Sequence, residues 1–294
     1  MNHQPSTLNH APAPRTITIR DRPFHWGQRT YLMGVLNVTP DSFSDGGLFD
    51  RPESALAQAR HLIASGADIL DIGGQSTRPG ATEVPLDEER DRVVPIIQAL
   101  RRDRGCNLPI SVDTNRSQVA KAAIEAGADL VNDVSGGTAD PEMLSVVSEL
   151  KVPFVLMHMR GTPQTMQQLT DYGDLIGEIS ALFARQIASA IAAGIPRHQI
   201  ILDPGIGFAK TYDHNLTLLR ELCAFRSFGL PLLVGPSRKS FIGRILERSD
   251  PKQRVWGTAA TCCAAIAAGA DIIRVHDIPE MHDVCRVADA IYRP

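Results

Sequence analysis

The sequence predicts an α/β protein: a closed (β/α)8 barrel preceded by a short β-hairpin. Three observations predict it. Eight short apolar runs alternate with stretches of helical periodicity, the pattern of a parallel sheet covered by helices. The eight units occupy about 265 residues, which suits a closed barrel better than an open doubly wound sheet. Most of the runs end in a polar or charged residue, and a parallel barrel gathers such residues at its C-terminal end.

Residues 1–15 are polar and Pro-rich and are expected to form a disordered tail; residues 16–294 are expected to form one domain. Thr16 to Arg20 alternates with period two, and 24–30 follows after Asp21-Arg22-Pro23, which reads as a hairpin. The barrel strands are expected at 31–37, 68–74, 109–114, 129–134, 153–158, 199–203, 231–235 and 271–276. The helices are expected at 52–65, 87–104, 117–126, 141–150, 175–193, 215–225, 256–268 and 281–291. Pro52 suits a first helical turn, Pro95 predicts a kink in the second helix, and Gly66, Gly127 and Gly194 are placed as helix stops. Gly66-Ala67-Asp68, Gly127-Ala128-Asp129 and Gly269-Ala270-Asp271 echo one another at helix-to-strand joins, as equivalent units should.

The chain of 294 residues is 43% apolar and 21% charged, with a net charge of −3. That balance gives no global reason to expect nucleic-acid or membrane binding, so any anion site must be local. The stretch 257–273 is rich in Ala, Cys and Gly and contains Asp271, too weak for a bilayer span. No secretory signal is visible at the N-terminus, and the five cysteines have no CxxC spacing. They read as reduced core side chains of a cytoplasmic protein rather than a disulfide framework or zinc site.

The strand ends supply Asn37, Asp113, Asn132, Asp133, His158, Asp203, Arg274 and His276, and the seventh strand runs into Gly235-Pro236-Ser237-Arg238-Lys239-Ser240. Each alone also reads as a cap or turn former. Mixed charges converging on one barrel face are hard to explain as caps, because uncompensated charges are costly to bury. Asp113, Asn132 and Asp203 suit a planar, nitrogen-rich heterocycle, since a carboxylate accepts two parallel N–H donors. Arg274, His276 and Lys239, with Asn37, suit a phosphate or diphosphate, and Asn37 suits a single protein ligand to Mg²⁺. The segments 42–47 and 73–80 are Gly-rich and read either as lids or as solvated turns; the first loop, from Val38 to about Arg51, is long for a plain turn.

Eight segments carry a family resemblance. Residues 34–47 read Gly-Val-Leu-Asn-Val-Thr-Pro-Asp-Ser-Phe-Ser-Asp-Gly-Gly, and 71–80 read Asp-Ile-Gly-Gly-Gln-Ser-Thr-Arg-Pro-Gly. Ser111-Val112-Asp113-Thr114, Asn132-Asp133-Val134-Ser135-Gly136-Gly137 and Met157-His158-Met159-Arg160-Gly161-Thr162-Pro163 follow. Asp203-Pro204-Gly205-Ile206-Gly207-Phe208-Ala209-Lys210, the 235–240 segment and Arg274-Val275-His276-Asp277 complete the set. In these the chain resembles the dihydropteroate synthases, folate-pathway enzymes and sulfonamide targets.

The resemblance implies a TIM barrel, a homodimer, and condensation of (7,8-dihydropterin-6-yl)methyl diphosphate with 4-aminobenzoate. Mg²⁺ is the implied cofactor, with Asn37 at the metal and diphosphate. Asp113, Asn132, Asp203 and Lys239 are implied to hold the pterin, and Thr77, Arg274 and His276 to touch the diphosphate. Arg78, Pro79, Phe208 and Ser237 are implied to border the aminobenzoate, with Val275 also among the substrate-binding residues. Asp113, Lys239, Arg274 and His276 are the implied catalytic residues. Mg²⁺, Arg274 and His276 are expected to neutralise the leaving diphosphate, and Asp113 to stabilise the cation left behind. Gln75 departs from the Glu that many members carry, and altered loop electrostatics are expected rather than lost activity. Two other readings are a methyltetrahydrofolate-dependent methyltransferase and a non-catalytic pterin-binding paralogue. The first has no evident use for Thr77-Arg78, Ser237-Arg238-Lys239 and Arg274-Val275-His276; the second should have lost loop residues or the Arg274/His276 pair.

Overall fold

The computed structural model describes residues 16–39, 51–103 and 105–293. The expected tail and most of the first loop, including Asp41 and Ser42, lie outside the described residues.

β1 (Thr16–Ile19) and β2 (Arg22–His25) form the hairpin, paired antiparallel from Thr16–His25 to Ile19–Arg22. Its turn places Arg20 at φ 53, and the second strand begins two residues earlier than the periodicity suggests. Eight parallel strands follow: β3 (Tyr31–Asn37), β4 (Ile69–Gly73), β5 (Ile110–Asp113), β6 (Leu130–Asp133), β7 (Phe154–Met157), β8 (Ile200–Asp203), β9 (Leu233–Val234) and β10 (Ile272–Val275). The hydrogen-bonded order is β8-β7-β6-β5-β4-β3-β10-β9. A single parallel bridge, Leu202 to Leu232, joins the two ends of that order and closes the ring.

Six helices follow the first six barrel strands: α1 (Arg51–Ala64), α2 (Leu86–Arg102), α3 (Ser117–Glu125), α4 (Met143–Leu150), α5 (Leu175–Ala192) and α6 (Tyr212–Arg220). The β9–β10 connection carries two, a short α7 (Ser240–Leu246) and α8 (Val255–Ala267), and α9 (Ile278–Tyr292) ends the chain. Only α8 was legible in that connection, because seven residues are too few to show a period. The expected sixth helix is instead α6 followed by a 3₁₀ segment, Leu222–Phe228. α2 runs through Pro95 unbroken. The ring faces solvent there, away from the packed side of the helix. α5 is long and apolar enough to cross a bilayer by length and composition alone. It buries Leu175, Ile179, Phe183 and Ile187 in the core shared with the strands.

The strand period of two divides the interior. Leu32, Leu70, Val112, Val131, Leu156, Leu202, Val234, Ile273 and Val275 pack with the helices in the outer core. Met33, Ile69, Leu130, Val155, Ile201, Leu233 and Ile272 face the lumen and form a second core with Ile17, Ile19, Phe24, Trp26 and Tyr31. The hairpin thus closes the N-terminal end of the barrel. Continuing along the lumen-facing parity, β4, β5, β6, β8 and β10 then turn polar.

Candidate active site

Two residues beyond Ile69 stands Asp71, two beyond Leu130 Asn132, two beyond Ile201 Asp203, and two beyond Ile272 Arg274. Register brings Asp113 opposite Asn132 and Asn37 opposite Gly73. Asp71 is completely buried, and Asp113, Asn132 and Asp203 nearly so. Arg274 joins the carboxylates across the lumen: its Nε donates to Asp71 Oδ2 at 2.6 Å and its Nη2 to Asp113 Oδ2 at 2.6 Å. Asn132 Nδ2 donates to the same Asp71 oxygen at 3.2 Å. Burial works against the guanidinium charge, but Asp71 and Asp113 outweigh it and raise the Arg274 pKa.

Three lumen oxygens, Asp71 Oδ1, Ser111 Oγ and Asp113 Oδ1, are buried without a hydrogen-bond partner among the described residues. Buried acceptors are normally satisfied, so a cluster of three marks a place for a ligand that brings donors. Burial pushes the Asp113 carboxyl well above the usual carboxylate range, with Arg274 opposing. Asp203 rises to about 6, again through burial, while its Oδ1 accepts from Gly205 N at 2.7 Å. Burial and the nearby Arg274 lower Lys239 to about 8; its Nζ lies 4.2 Å from the centroid of the buried Phe208 ring.

The remaining predicted residues divide. Ser237 Oγ is 2.9 Å from His276 Nδ1 and accepts from His276 N at 3.2 Å. Burial and the surrounding cations, Arg274 first, lower His276 to about 3, so it is neutral at pH 7. It therefore hydrogen-bonds to Ser237 as a neutral imidazole. Thr77 is half-buried, and Arg78 and Pro79 are exposed on the β4–α2 loop. Thr77 lines a recess with Gln75, Glu89, Asp113 and Val134. Val275 lies in the outer core between the inward-facing Arg274 and His276, so its side chain packs against helices. Asp133 braces its own turn, accepting from Ser135 N at 2.7 Å and Gly137 N at 2.8 Å. His158 pairs with the buried Lys210 Nζ at 2.9 Å, beneath the loop that carries Phe208.

Asp71 and Ser111 are the residues missed as site members. Parity with Ile69 for the first, and with Asp113 for the second, was the available signal. The five cysteines are free; Cys106, Cys262 and Cys285 are buried, but Cys223 is exposed rather than a core side chain.

Among the described residues no group of three or more His, Cys, Asp or Glu side chains is placed to hold a metal ion. Mg²⁺ bound with diphosphate oxygens and water needs few protein ligands. Asn37 fits that part: it is half-buried at the end of β3, and a Cβ on Gly73 would lie 3.8 Å from its Oδ1 and 3.5 Å from Asp113 Cβ. The glycine keeps the space between them clear.

The comparisons with known proteins agree with this geometry. The family described as pterin binding enzyme matches residues 33–276. The chain is 59% identical over 280 residues to a dihydropteroate synthase of Synechocystis sp., covering 95% of this chain and 96% of that protein. It is 45% identical to the Bacillus subtilis dihydropteroate synthase, with 94% of each covered. A solved structure of Xanthomonas albilineans dihydropteroate synthase with 4-aminobenzoic acid superposes with a TM-score of 0.88 at 41% identity, over 95% of this chain and 98% of that one. With the lumen-facing carboxylates, the bridging arginine and the matched segments falling together, the chain belongs to the pterin binding enzyme family, among the dihydropteroate synthases.

Proposed function

We propose that the chain condenses (7,8-dihydropterin-6-yl)methyl diphosphate with 4-aminobenzoate, giving 7,8-dihydropteroate and diphosphate, a step in tetrahydrofolate biosynthesis. The observation that carries it is the set of unpartnered buried acceptors, Asp71 Oδ1, Ser111 Oγ and Asp113 Oδ1, beside Asn132 and Asp203. A 2-amino-pyrimidinone edge brings the N–H donors these oxygens lack.

In the reaction the C–O bond to diphosphate breaks, a C–N bond to the aniline nitrogen forms, and that nitrogen loses a proton. The carbon left by diphosphate is a cation conjugated to the pterin. Asp113, held by Arg274, is the residue whose ionised carboxylate would stabilise it. Lys239 and Phe208 form one wall, with the ammonium against the ring face. Ser237 orients His276, whose free ring nitrogen is available to the diphosphate side. Thr77 serves that side too, and Arg78 and Pro79 border the aminobenzoate. Asn37 would hold Mg²⁺, which when bound neutralises charge on the leaving diphosphate. The weakly basic aniline needs little general-base help, so excluding water matters more than proton abstraction.

The enzyme is proposed to work as a homodimer in the cytoplasm. Trp256 on α8 and Val287, Ile291 and Tyr292 on α9 are at least half exposed. Large exposed apolar side chains on packed neighbouring helices suit a second copy.

Diphosphate release with and without 4-aminobenzoate, with Mg²⁺ present and then chelated, tests the function. Release that requires all the components and yields dihydropteroate is expected. Pterin binding without turnover would replace this reading with the non-catalytic paralogue.

A further inference from the structure

We infer that Glu89, through Arg116, is a positioning residue that ties the β4–α2 loop to the end of β5 and so sets the 4-aminobenzoate half of the site.

Glu89 lies on the first turns of α2 and is 1% exposed. Its Oε1 accepts from Thr114 Oγ1 at 2.6 Å, and Thr114 directly follows Asp113. Its Oε2 accepts from Arg116 Nη1 at 2.9 Å. The other arm of Arg116 donates from Nη2 to Glu83 Oε1 at 2.6 Å, in the loop. One buried carboxylate thereby fixes the residue after the pterin-side aspartate and orients a guanidinium that reaches the loop.

The same loop is anchored at its other end on the same part of α2. Arg92 Nη1 donates to Gly74 O at 2.8 Å. A Cβ on Gly74 would meet Glu89 O at 2.9 Å, so the backbone sits directly on the helix. Between these anchors lie Thr77, Arg78 and Pro79. Within the span Ala81 N donates to Arg78 O at 3.0 Å, a local turn, while Arg78 N to Ser76 Oγ and Val84 N to Gln75 Oε1 are long, both at 3.4 Å. A further tie runs to the β7–α5 loop, where Gly80 N donates to Pro163 O at 2.9 Å and Gln164 Nε2 to Ala81 O at 3.1 Å.

Stability alone does not account for such a pair. A buried carboxylate and guanidinium roughly break even against apolar side chains of the same volume. What the pair adds is direction: a planar guanidinium between two carboxylates fixes an angle as well as a distance.

The inference rests on the proposed function for the identity of the half-site, and the test separates the two. Arg116→Ala, Arg116→Lys and Glu83→Gln are compared with the wild type. Glu83 has a side chain 64% exposed, so Glu83→Gln keeps the fold and remains decisive if Arg116→Ala does not. Hydrogen–deuterium exchange over residues 75–85 reads the brace whether or not the protein turns over. Exchange there should rise in Arg116→Ala and Glu83→Gln, with the strands unchanged. The KM for 4-aminobenzoate should rise about tenfold in Arg116→Ala and about threefold in Glu83→Gln, with partial recovery in Arg116→Lys. The KM for the pterin diphosphate should stay within about twofold. Unchanged exchange over 75–85 overturns the brace, and so do two KM values that rise together. A wild type without turnover counts against the proposed function, while the exchange result still decides the brace.

Discussion

At the scale of single residues, the site works with protonation states that burial has moved. Asp203 at about 6 must be ionised to accept N–H donors, so it fails as pH falls below that value. Asp113 is displaced in the same direction. Lys239 at about 8 loses its charge as pH rises above that value. These directions predict kcat/KM for the pterin diphosphate to fall on the acid side as Asp113 and then Asp203 protonate, and to fall again as pH rises past about 8. Lys239→Arg keeps its charge at any accessible pH and should push the alkaline limb outward, even with a lower plateau. A pH profile of both proteins checks this, and an alkaline limb that stays in place would remove Lys239 from the role. Much of this site was legible: Asp113, Asn132, Asp203, Lys239 and Arg274 converge as expected. The neutrality of His276 was not legible, because it follows from four cations and burial around one ring.

The element scale explains the repeated Gly-Ala-Asp. Gly66, Gly127 and Gly269 have φ of 99°, 114° and 99°, the left-handed end of a helix that favours glycine. The aspartates that follow do the same job three times. Asp68 Oδ2 accepts from Leu32 N at 2.9 Å, Asp129 Oδ2 from Ile110 N at 2.8 Å, and Asp271 Oδ2 from Leu232 N at 3.0 Å. Each carboxylate thus caps the start of a neighbouring strand, and each meets an arginine: Arg29, Arg101 and Arg293. Arg101 also donates to Gly127 O at 2.7 Å and Leu108 O at 2.9 Å, locking helix, join and strand together. Asp129→Ala leaves Ile110 N without its acceptor and Arg101 without its counter-charge, and should cost about 2–4 kcal/mol. Urea unfolding measures it; a loss within about 0.5 kcal/mol, the range of ordinary surface substitutions, would show the clamp to be redundant. The echo was visible as sequence, but the clamp was not, because its partner lies on another strand.

Across the whole molecule, the two ends of the barrel have opposite chemistry. The hairpin seals the N-terminal end with Phe24, Trp26 and Tyr31, whose rings lie 4.6 to 5.6 Å apart. The polar end is left for substrates, which is why the lumen carries both an apolar floor and buried charges. The outer face of α9 carries exposed apolar side chains next to Trp256 of α8, with Val287 62% and Ile291 63% exposed. If a second copy covers that face, Val287→Asp with Ile291→Asp should convert the dimer to a folded monomer. Light scattering after size exclusion reads the mass. A dimer that survives both charges would place the interface elsewhere.

The sequence by itself determined the barrel, its eight strands in order and most of the polar strand ends, because a short apolar run and the polar residue that ends it are local properties. It also carried the family motifs. Only the tertiary structure decided that Arg274 bridges Asp71 and Asp113, that Asp133 turns to its own loop and His158 to Lys210 of the β8–α6 loop, and that Val275 packs outward. Parity already placed Val275 opposite to its neighbours, yet the motif drew it into the site. Which charges meet across a closed lumen, and how far burial moves each of them, depends on distances between strands far apart in the chain, and no local pattern encodes those distances.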